Sequence, residues 1–361
     1  MATLTVAQFL DRLALRASPD KAANWDAIGL QLGDPRAEVK SVAVCHEVTD
    51  AVVEKLETTP ADLLVTYHPL LFHPTTRIVA GPGSNGRAYR LLCSGVATAV
   101  MHTNFDVATG GAADALAEAF GLQHIRGFGP VEPGRAFKLV TFLPEDAVEP
   151  MSAALELAGA GRIGNYHGCS FRIAGEGAFY AGEGTTPQLG GAGANRAAEV
   201  RFEMVFPAER EAAVVAALVG HHPYEEPPYD LYPVRSNLGL LGRVGHLPQS
   251  TQFAQLVEEV KAKLRAPAVR IVRTSDPVSR VAVIPGAGSN YLRSALSAGA
   301  EVLVTGDVSH HSKAEARDMG LGVIDPGHAA TEQPGMRVLV SWVGDIVPDV
   351  VDLTPLWDEG Q

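Results

Sequence analysis

Short apolar runs alternate with helical stretches at both ends of this chain, and that alternation limits what it can fold into. KSVAVCHEV reads as a strand and TDAVVEKLET as a helix that Thr49 or Asp50 can cap. ADLLVTYHPLLF is the next strand. A loop follows, then a helix from about Gly86 to Leu92, then GVATAVMHTNFD as a strand and GGAADALAEAFGL as a helix closed by Gly121. The last third repeats the style. VSRVAVIPGAG, AEVLVTGDVSHHS and LGVIDPGH read as strands, with SNYLRSALSAG and SKAEARDMG as helices between them. A further helix is expected from about Thr331, with Pro334 in its first turn, where a missing N–H is tolerated. Strand–helix–strand at this spacing demands parallel pairing and right-handed crossovers, hence an α/β sheet.

The middle differs. RAFKLVTFLPEDAVEPMSAALELAG reads as a strand and a helix. RIGNYHGCSFRIAGEGAFYAGEG carries two short strands with Gly between them, and VRFEMVFPAEREAAVVAALVGHHP another strand and helix. That is β-α-β-β followed by β-α, the ferredoxin-like order. The expectation is therefore a bipartite, two-lobed α/β core of mixed and parallel sheets with helices. Its lobes are residues 1–130 and 236–361, and a ferredoxin-like α+β inserted domain occupies 131–235. Insertion into an exposed loop is easy where the flanking chain ends lie close together.

Composition removes several function classes. The 361 residues carry 29 Lys+Arg against 41 Asp+Glu, a formal charge of −12. A binder of phosphate backbones needs a basic face, and no basic run exists here, so a nucleic-acid role is not expected. Hydrophobic residues at 46% and charged residues at 19% describe a globular chain. No apolar run approaches a membrane span, and the N-terminal MATLTVAQFLDRL reads as an amphipathic helix without the basic start of a signal peptide. The three Cys, at 45, 93 and 169, read as buried thiols in a reducing compartment, not as a disulfide framework. A cytoplasmic location follows as the expectation.

Histidines and carboxylates cluster at the C-terminal ends of the expected strands: Tyr67-His68, His102 with Asp106, His310-His311, and His328 with Glu332. Ligand sites of open parallel sheets lie at that edge. Each cluster alone has a plain structural reading: His68 as a capped strand end, Asp106 as a helix cap, His328 and Glu332 as a solvent-facing pair. If helical, His328 and Glu332 share one face, and can share a metal or a water. Several coincidences at one edge favour a site. Imidazole plus carboxylate suits Zn, Fe, Ni or Mn better than Ca or Mg, and three or four ligands with one open position make a catalytic site. His102 can orient a carboxylate or act as general acid–base, or make only a structural hydrogen bond. Asp26 lines the site or caps a helix. His221, His222, Glu225 and Glu226, among prolines 223, 227 and 228, read as a rigid packing or oligomer contact. The Gly-rich loops GPGSNG and IPGAGSN lack the features of a phosphate cradle.

The strings NWDAIGLQLGDP, VTYHPLLF, HTNFDVATGGAADALAEAFGL and VTGDVSHHSKAEARDMGLGVIDPGHAATE carry a resemblance. They are similar to the dinuclear metal-centre (Nif-three-like) family, whose members are often described as GTP cyclohydrolase type-two homologues. GNYHGCSF, FYAGEGTTP, VRFEMVFP and HHPYEEPPYD resemble the inserted domain of its longer members, itself similar to the PII and CutA regulatory folds. The resemblance implies two metals in a pocket between two lobes, held here by His68, Asp106, His328 and Glu332. It also implies a homohexameric ring. One departure matters most: Tyr67 stands where the family has the first His of a double-His string. A phenol is a poor ligand, with an ordinary pKa near 10. Tyr67 binds as phenolate, or one metal keeps a reduced shell, or a single metal remains. His46 and Glu47 depart as well, as an altered pocket wall or a solvated strand end.

The leading functional expectation is a metal-dependent, cyclohydrolase-like hydrolase of a small polar or nucleotide-like substrate, with one or two divalent transition metals per chain. The alternative is a non-catalytic regulatory or metal-homeostasis ring whose insert senses a small effector.

Overall fold

The computed structural model describes residues 4–131, 136–163, 166–234, 239–273 and 276–356. The chain divides into two compact units, Met1–Glu132 with Leu238–Gln361, and Pro133–Asn237.

The first unit holds two larger sheets. One has five strands in the order Asp349–Asp352, Ser41–Cys45, Leu63–Thr66, Ala97–Val100, Gly29–Leu32. All pairs are parallel except the last. Its central strands, VAVC, LLVT and ATAV, are apolar throughout or nearly so and buried along their length. That is the pattern of parallel strands covered on both faces. The other sheet has six strands: Arg270–Val272, Gly322–Asp325, Val302–Gly306, Val278–Ala287, Leu240–Thr251, Gln123–Pro130. Its three inner neighbours, from Gly322–Asp325 to Val278–Ala287, pair in parallel. The sheets do not divide where the chain is interrupted. Gln123–Pro130, from the first stretch of chain, lies in the six-stranded sheet, and Asp349–Asp352, from the last, closes the edge of the other.

Helix ends follow local chemistry. Thr49, not Asp50, is the cap of Asp50–Thr58, its hydroxyl accepting from the Val52 N–H. Gly121, at φ +65°, ends the helix Ala112–Ala119 as expected. The Gly83–Cys93 helix starts three residues earlier than expected. It needs Gly86, where a Cβ would meet the Gly81 carbonyl oxygen at 1.6 Å. The expectation of a helix from Thr331 is corrected: the helix spans His328–Gly344. Gly327, at φ +101°, turns the chain sharply out of Gly322–Asp325, so the helix starts at once and Pro334 falls inside it. Pro334 there forgoes one main-chain hydrogen bond. This helix belongs to both sheets. Met336, Leu339 and Val343 pack into the core with Val42, Leu63 and Val65, while Ala330 packs against the core of the six-stranded sheet. Each such fully buried Val or Leu side chain contributes roughly 1.5–3 kcal/mol.

The second unit runs strand, helix, strand, strand, helix, strand. Its sheet is antiparallel, in the order Tyr229–Val234, Ala136–Leu143, Gly193–Pro207, Ser170–Ala181. The two short strands expected around the glycines are one strand, Ser170–Ala181, because Gly175 and Gly177 pair straight across to Glu199 and Ala197. Helices Val148–Leu157 and Glu211–His221 cover one face through Met151, Leu155, Val214 and Leu218.

Of the three thiols, only Cys45 is buried. Cys93 is exposed, because its helix buries the Gly86, Ala88 and Leu91 stripe, and Cys169 is half-buried. Among the described residues no helix is long and apolar enough to cross a membrane.

Candidate metal centre

The C-terminal ends of strands from both sheets of the first unit converge on one buried carboxylate, Glu332. Parallel register aligns the first contributors. Cys45 pairs with Thr66, the Tyr67 N–H donates to the Cys45 carbonyl at 3.1 Å, and the His68 N–H to the His46 carbonyl at 2.9 Å. His46 and Tyr67 thus sit side by side one residue past their strands, rings stacked with centroids 5.6 Å apart. His102 follows Ala97–Val100, Asp307 follows Val302–Gly306, and His328 and Glu332 occupy the first two turns of His328–Gly344.

Glu332 is 2% exposed, and three imidazoles surround it. Its Oε2 lies 2.7 Å from His46 Nε2 and 3.2 Å from His68 Nε2, and its Oε1 lies 2.9 Å from His328 Nε2. His46 and His68 meet edge to face at 4.8 Å. Behind His328, Asp307 Oδ2 holds Nδ1 at 2.7 Å. Asp307 has φ +54°, a left-handed conformation that Asp tolerates better than most residues. Gly286 permits the arrangement. Its φ is +63°, and a Cβ there would lie 2.6 Å from Glu332 Oε1 and 3.1 Å from His328 Nε2.

Beside this group, the Tyr67 hydroxyl donates to Asp106 Oδ1 at 2.6 Å, both side chains being buried. Next to Tyr67, His102 Nδ1 lies 2.9 Å from Asp26 Oδ1, and Asp26 Oδ2 accepts from the Thr103 N–H at 3.0 Å.

The electrostatics follow from burial and partners. Burial alone would raise Glu332, but hydrogen bonds from His328, His46 and His68 hold it well below the usual carboxylate range. For His328, burial opposes the charged ring, yet Glu332 and Asp307 prevail and push it up to about 9. Burial pushes Asp106 up to about 7, with His102 and the Tyr67 hydroxyl working the other way. Tyr67 stays neutral: burial first, then the Asp106 and Glu332 charges, raise it well above its ordinary value. His102 is raised, because Asp26 and the Asp106 and Glu332 carboxylates outweigh its burial.

The donor set fits a divalent transition metal. Ligand atoms of His46, His68 and Glu332 all lie within 4.8 Å of one another. Two imidazoles and a carboxylate are a three-ligand set that leaves a coordination position open.

The structure brings His68, His328 and Glu332 together as neighbours, with Tyr67, Asp106 and His102 alongside. Sequence reasoning left His46 as wall or solvated strand end, yet it is 3% exposed and bonded to Glu332. Glu47, the next residue, is exposed. Asp307, inside the string VTGDVSHHS, carries no sequence signal that marks it as the partner of His328. His310 and His311 are exposed at the start of the helix His310–Asp318, their rings edge to face with centroids 5.8 Å apart. In the other unit, His222 Nε2 lies 3.2 Å from the Thr141 hydroxyl, and its Nδ1 accepts from the Tyr224 N–H at 3.2 Å, as a packing residue does.

Known proteins share this fold and sequence. Two solved structures share the fold over nearly the whole chain. A Bacillus cereus protein related to NIF3 is 32% identical, with TM-score 0.65, covering 99% of this chain and 98% of its own. A Staphylococcus aureus protein is 26% identical, with TM-score 0.68, covering 100% and 99%. Relatives named GTP cyclohydrolase 1 type 2 homolog include one from Mycobacterium bovis, 38% identical over 96% of this chain and 94% of its own length. Another, from Bacillus subtilis, is 38% identical over 86% and 84%. The profile of one family matches residues 4–353, and with these relatives it shows that the chain belongs to the Duf34/NIF3 (NGG1p interacting factor 3) family.

Proposed function

We propose that the protein is a metal-dependent hydrolase of a small polar or nucleotide-like substrate, with His46, His68 and Glu332 as the core of its metal site. The observation that carries this is the approach of two imidazole Nε2 atoms to a single oxygen of the buried Glu332. The resemblance places a histidine at position 67. Here His46, stacked on Tyr67, supplies the imidazole that Tyr67 cannot. His328, on the other oxygen of Glu332, and Asp106 stand as further donors, for one metal or two. Tyr67 is not a ligand in this reading. It stays a phenol and positions Asp106.

The chemistry such a metal supplies is Lewis acidity, which brings the pKa of water near neutrality. The protein's own groups do the rest. Glu332 fixes three imidazoles in place, and Asp307 orients His328 from behind. Asp26 takes His102 Nδ1 and leaves Nε2 to accept or give a proton as general acid–base.

A second reading has its own observation. The strand order and two helices of the second unit support a ferredoxin-like reading, and a cavity of about 700 Å³ is lined by Phe142, Phe179, Glu199, Arg201 and Tyr224 among others. That suits an effector-sensing insert of PII or CutA type on a cytoplasmic hexameric ring. A turnover screen separates the two. Protein supplied with Zn, Fe, Mn or Ni is assayed against nucleotides and cyclic amides. The hydrolase reading predicts turnover that His102→Asn lowers roughly 10²–10⁴-fold without loss of metal. Effector binding with no turnover across the panel would instead favour the regulator.

A further inference from the structure

Trp25 and Phe72 stand exposed next to the centre. Trp25 is 59% exposed and Phe72 45%, with ring centroids 5.9 Å apart and planes tilted by 56°. The Trp25 ring also meets His102 edge to face at 6.1 Å. Large aromatic rings are costly to leave in water, and the loops that carry this pair are pinned by hydrogen bonds. Gln31 ties the two loops together: its Nε2 donates to the Ala27 carbonyl at 2.9 Å and the Leu71 carbonyl at 3.0 Å, and its Oε1 accepts from the Leu71 N–H at 2.9 Å. Ala27 lies two residues after Trp25, and Leu71 directly precedes Phe72. On the other side of Trp25, the Ala23 N–H donates to the Thr103 hydroxyl at 2.9 Å, and Asp26 is fixed by His102 and Thr103. Both rings are thus presented on pinned loops, and one of them touches the residue placed as general acid–base.

We propose that Trp25 and Phe72 form a stacking platform for the flat heteroaromatic ring of a small substrate. The ring lies against Trp25 with Phe72 at its edge, which sets the rest of the molecule beside His102. Two tilted aromatic faces suit a planar ring, and contacts of this kind are tolerant of which base is stacked. The inference rests on the reading of the neighbouring centre as the reactive site. It names the class of substrate that site takes.

The test measures binding of adenosine, guanosine and uridine 5′-monophosphates to the whole protein by calorimetry, with ribose 5-phosphate as the non-aromatic control. Metal content is recorded for every variant. The platform predicts that at least one nucleotide binds more tightly than ribose 5-phosphate. Trp25→Leu and Phe72→Leu each weaken that binding, the former at least about tenfold. Trp25→Phe stays within about threefold of wild type, since it keeps a ring, and loses only the fluorescence quenching that the nucleotide causes. Metal content stays constant across the series. Nucleotides that bind wild type no better than ribose 5-phosphate, or bind Trp25→Leu as tightly as wild type, would overturn the platform. A changed oligomeric state of Trp25→Leu with unchanged nucleotide binding would overturn it too, and would assign the pair to an interface between copies. Loss of metal from the wild type, by contrast, sinks the metal-centre reading without touching the stacking result.

Discussion

At the scale of single residues, the proposed metal site would set protons and metal in competition for the same atoms. His328, pushed up to about 9, and Asp106, pushed up to about 7, hold protons that a metal using them as further donors would have to displace. Metal affinity should therefore rise with pH from about 6 to about 9, in competition with a chelator of known affinity. The metal-free fold should respond in the opposite sense. A raised His328 adds stability that is complete below its ordinary value and is lost as pH climbs through about 9. A raised Asp106 acts likewise, because above about 7 the fold must bury its charge. Glu332, held low, contributes stability above the usual carboxylate range and loses it as the pH falls below. Flat metal affinity between pH 6 and 9 would contradict this assignment. Tyr67→Phe is the companion test. It strips Asp106 of a buried donor, so stability to denaturant should fall by roughly 1–3 kcal/mol while metal content holds. Much of this was legible. His68, Asp106, His328 and Glu332 all end up in or beside the centre. His46 was not assigned as a ligand, because a histidine one residue past a strand looks the same in sequence whether it faces water or a carboxylate 286 residues further on.

At the scale of elements, the site depends on how one strand and one helix meet. Apolar period and length located nearly every inner strand, since parallel strands covered on both faces must be continuously apolar. They did not locate the start of the last helix. Pro334 suggested a start near Thr331, but the left-handed Gly327 allows the turn three residues earlier, and that turn brings His328 onto Glu332. Short edge strands such as Asp349–Asp352 and Tyr229–Val234 also escaped, because a few residues with half-buried or exposed side chains carry little period. Gly286 gives the sharpest test at this scale. Gly286→Ala places a methyl group 2.6 Å from Glu332 Oε1 at a left-handed φ. It should lower stability by roughly 1–3 kcal/mol in thermal denaturation and release metal. An alanine variant as stable and as metal-rich as wild type would show that the close approach at Gly286 does not shape the centre.

At the scale of the whole molecule, the chain is a core interrupted once. The flanking strands Gln123–Pro130 and Leu240–Thr251 are antiparallel neighbours, and the Val131 N–H donates to the Gly239 carbonyl at 2.8 Å. The core therefore leaves and re-enters at one point. Replacing the inserted unit with a short turn should leave a cooperatively folded core with unchanged metal content, followed by circular dichroism and elemental analysis. In the sequence, the stretch that reads as β-α-β-β lies within the unit Pro133–Asn237. The exchange of strands between the two core sheets was invisible in the sequence, because sheet membership is decided by contacts between segments far apart in the chain.

Most of the metal site depends on His46 taking a ligand's place. Metal per chain, measured by elemental analysis after equilibration with buffered Zn, tests it in three proteins: wild type, His46→Ala and Tyr67→Phe. Metal is expected in the wild type and in Tyr67→Phe. His46→Ala should lose affinity by more than the roughly 10–100-fold that removal of an outer partner costs. Full occupancy of His46→Ala, or an empty wild type after metal is supplied, would contradict it.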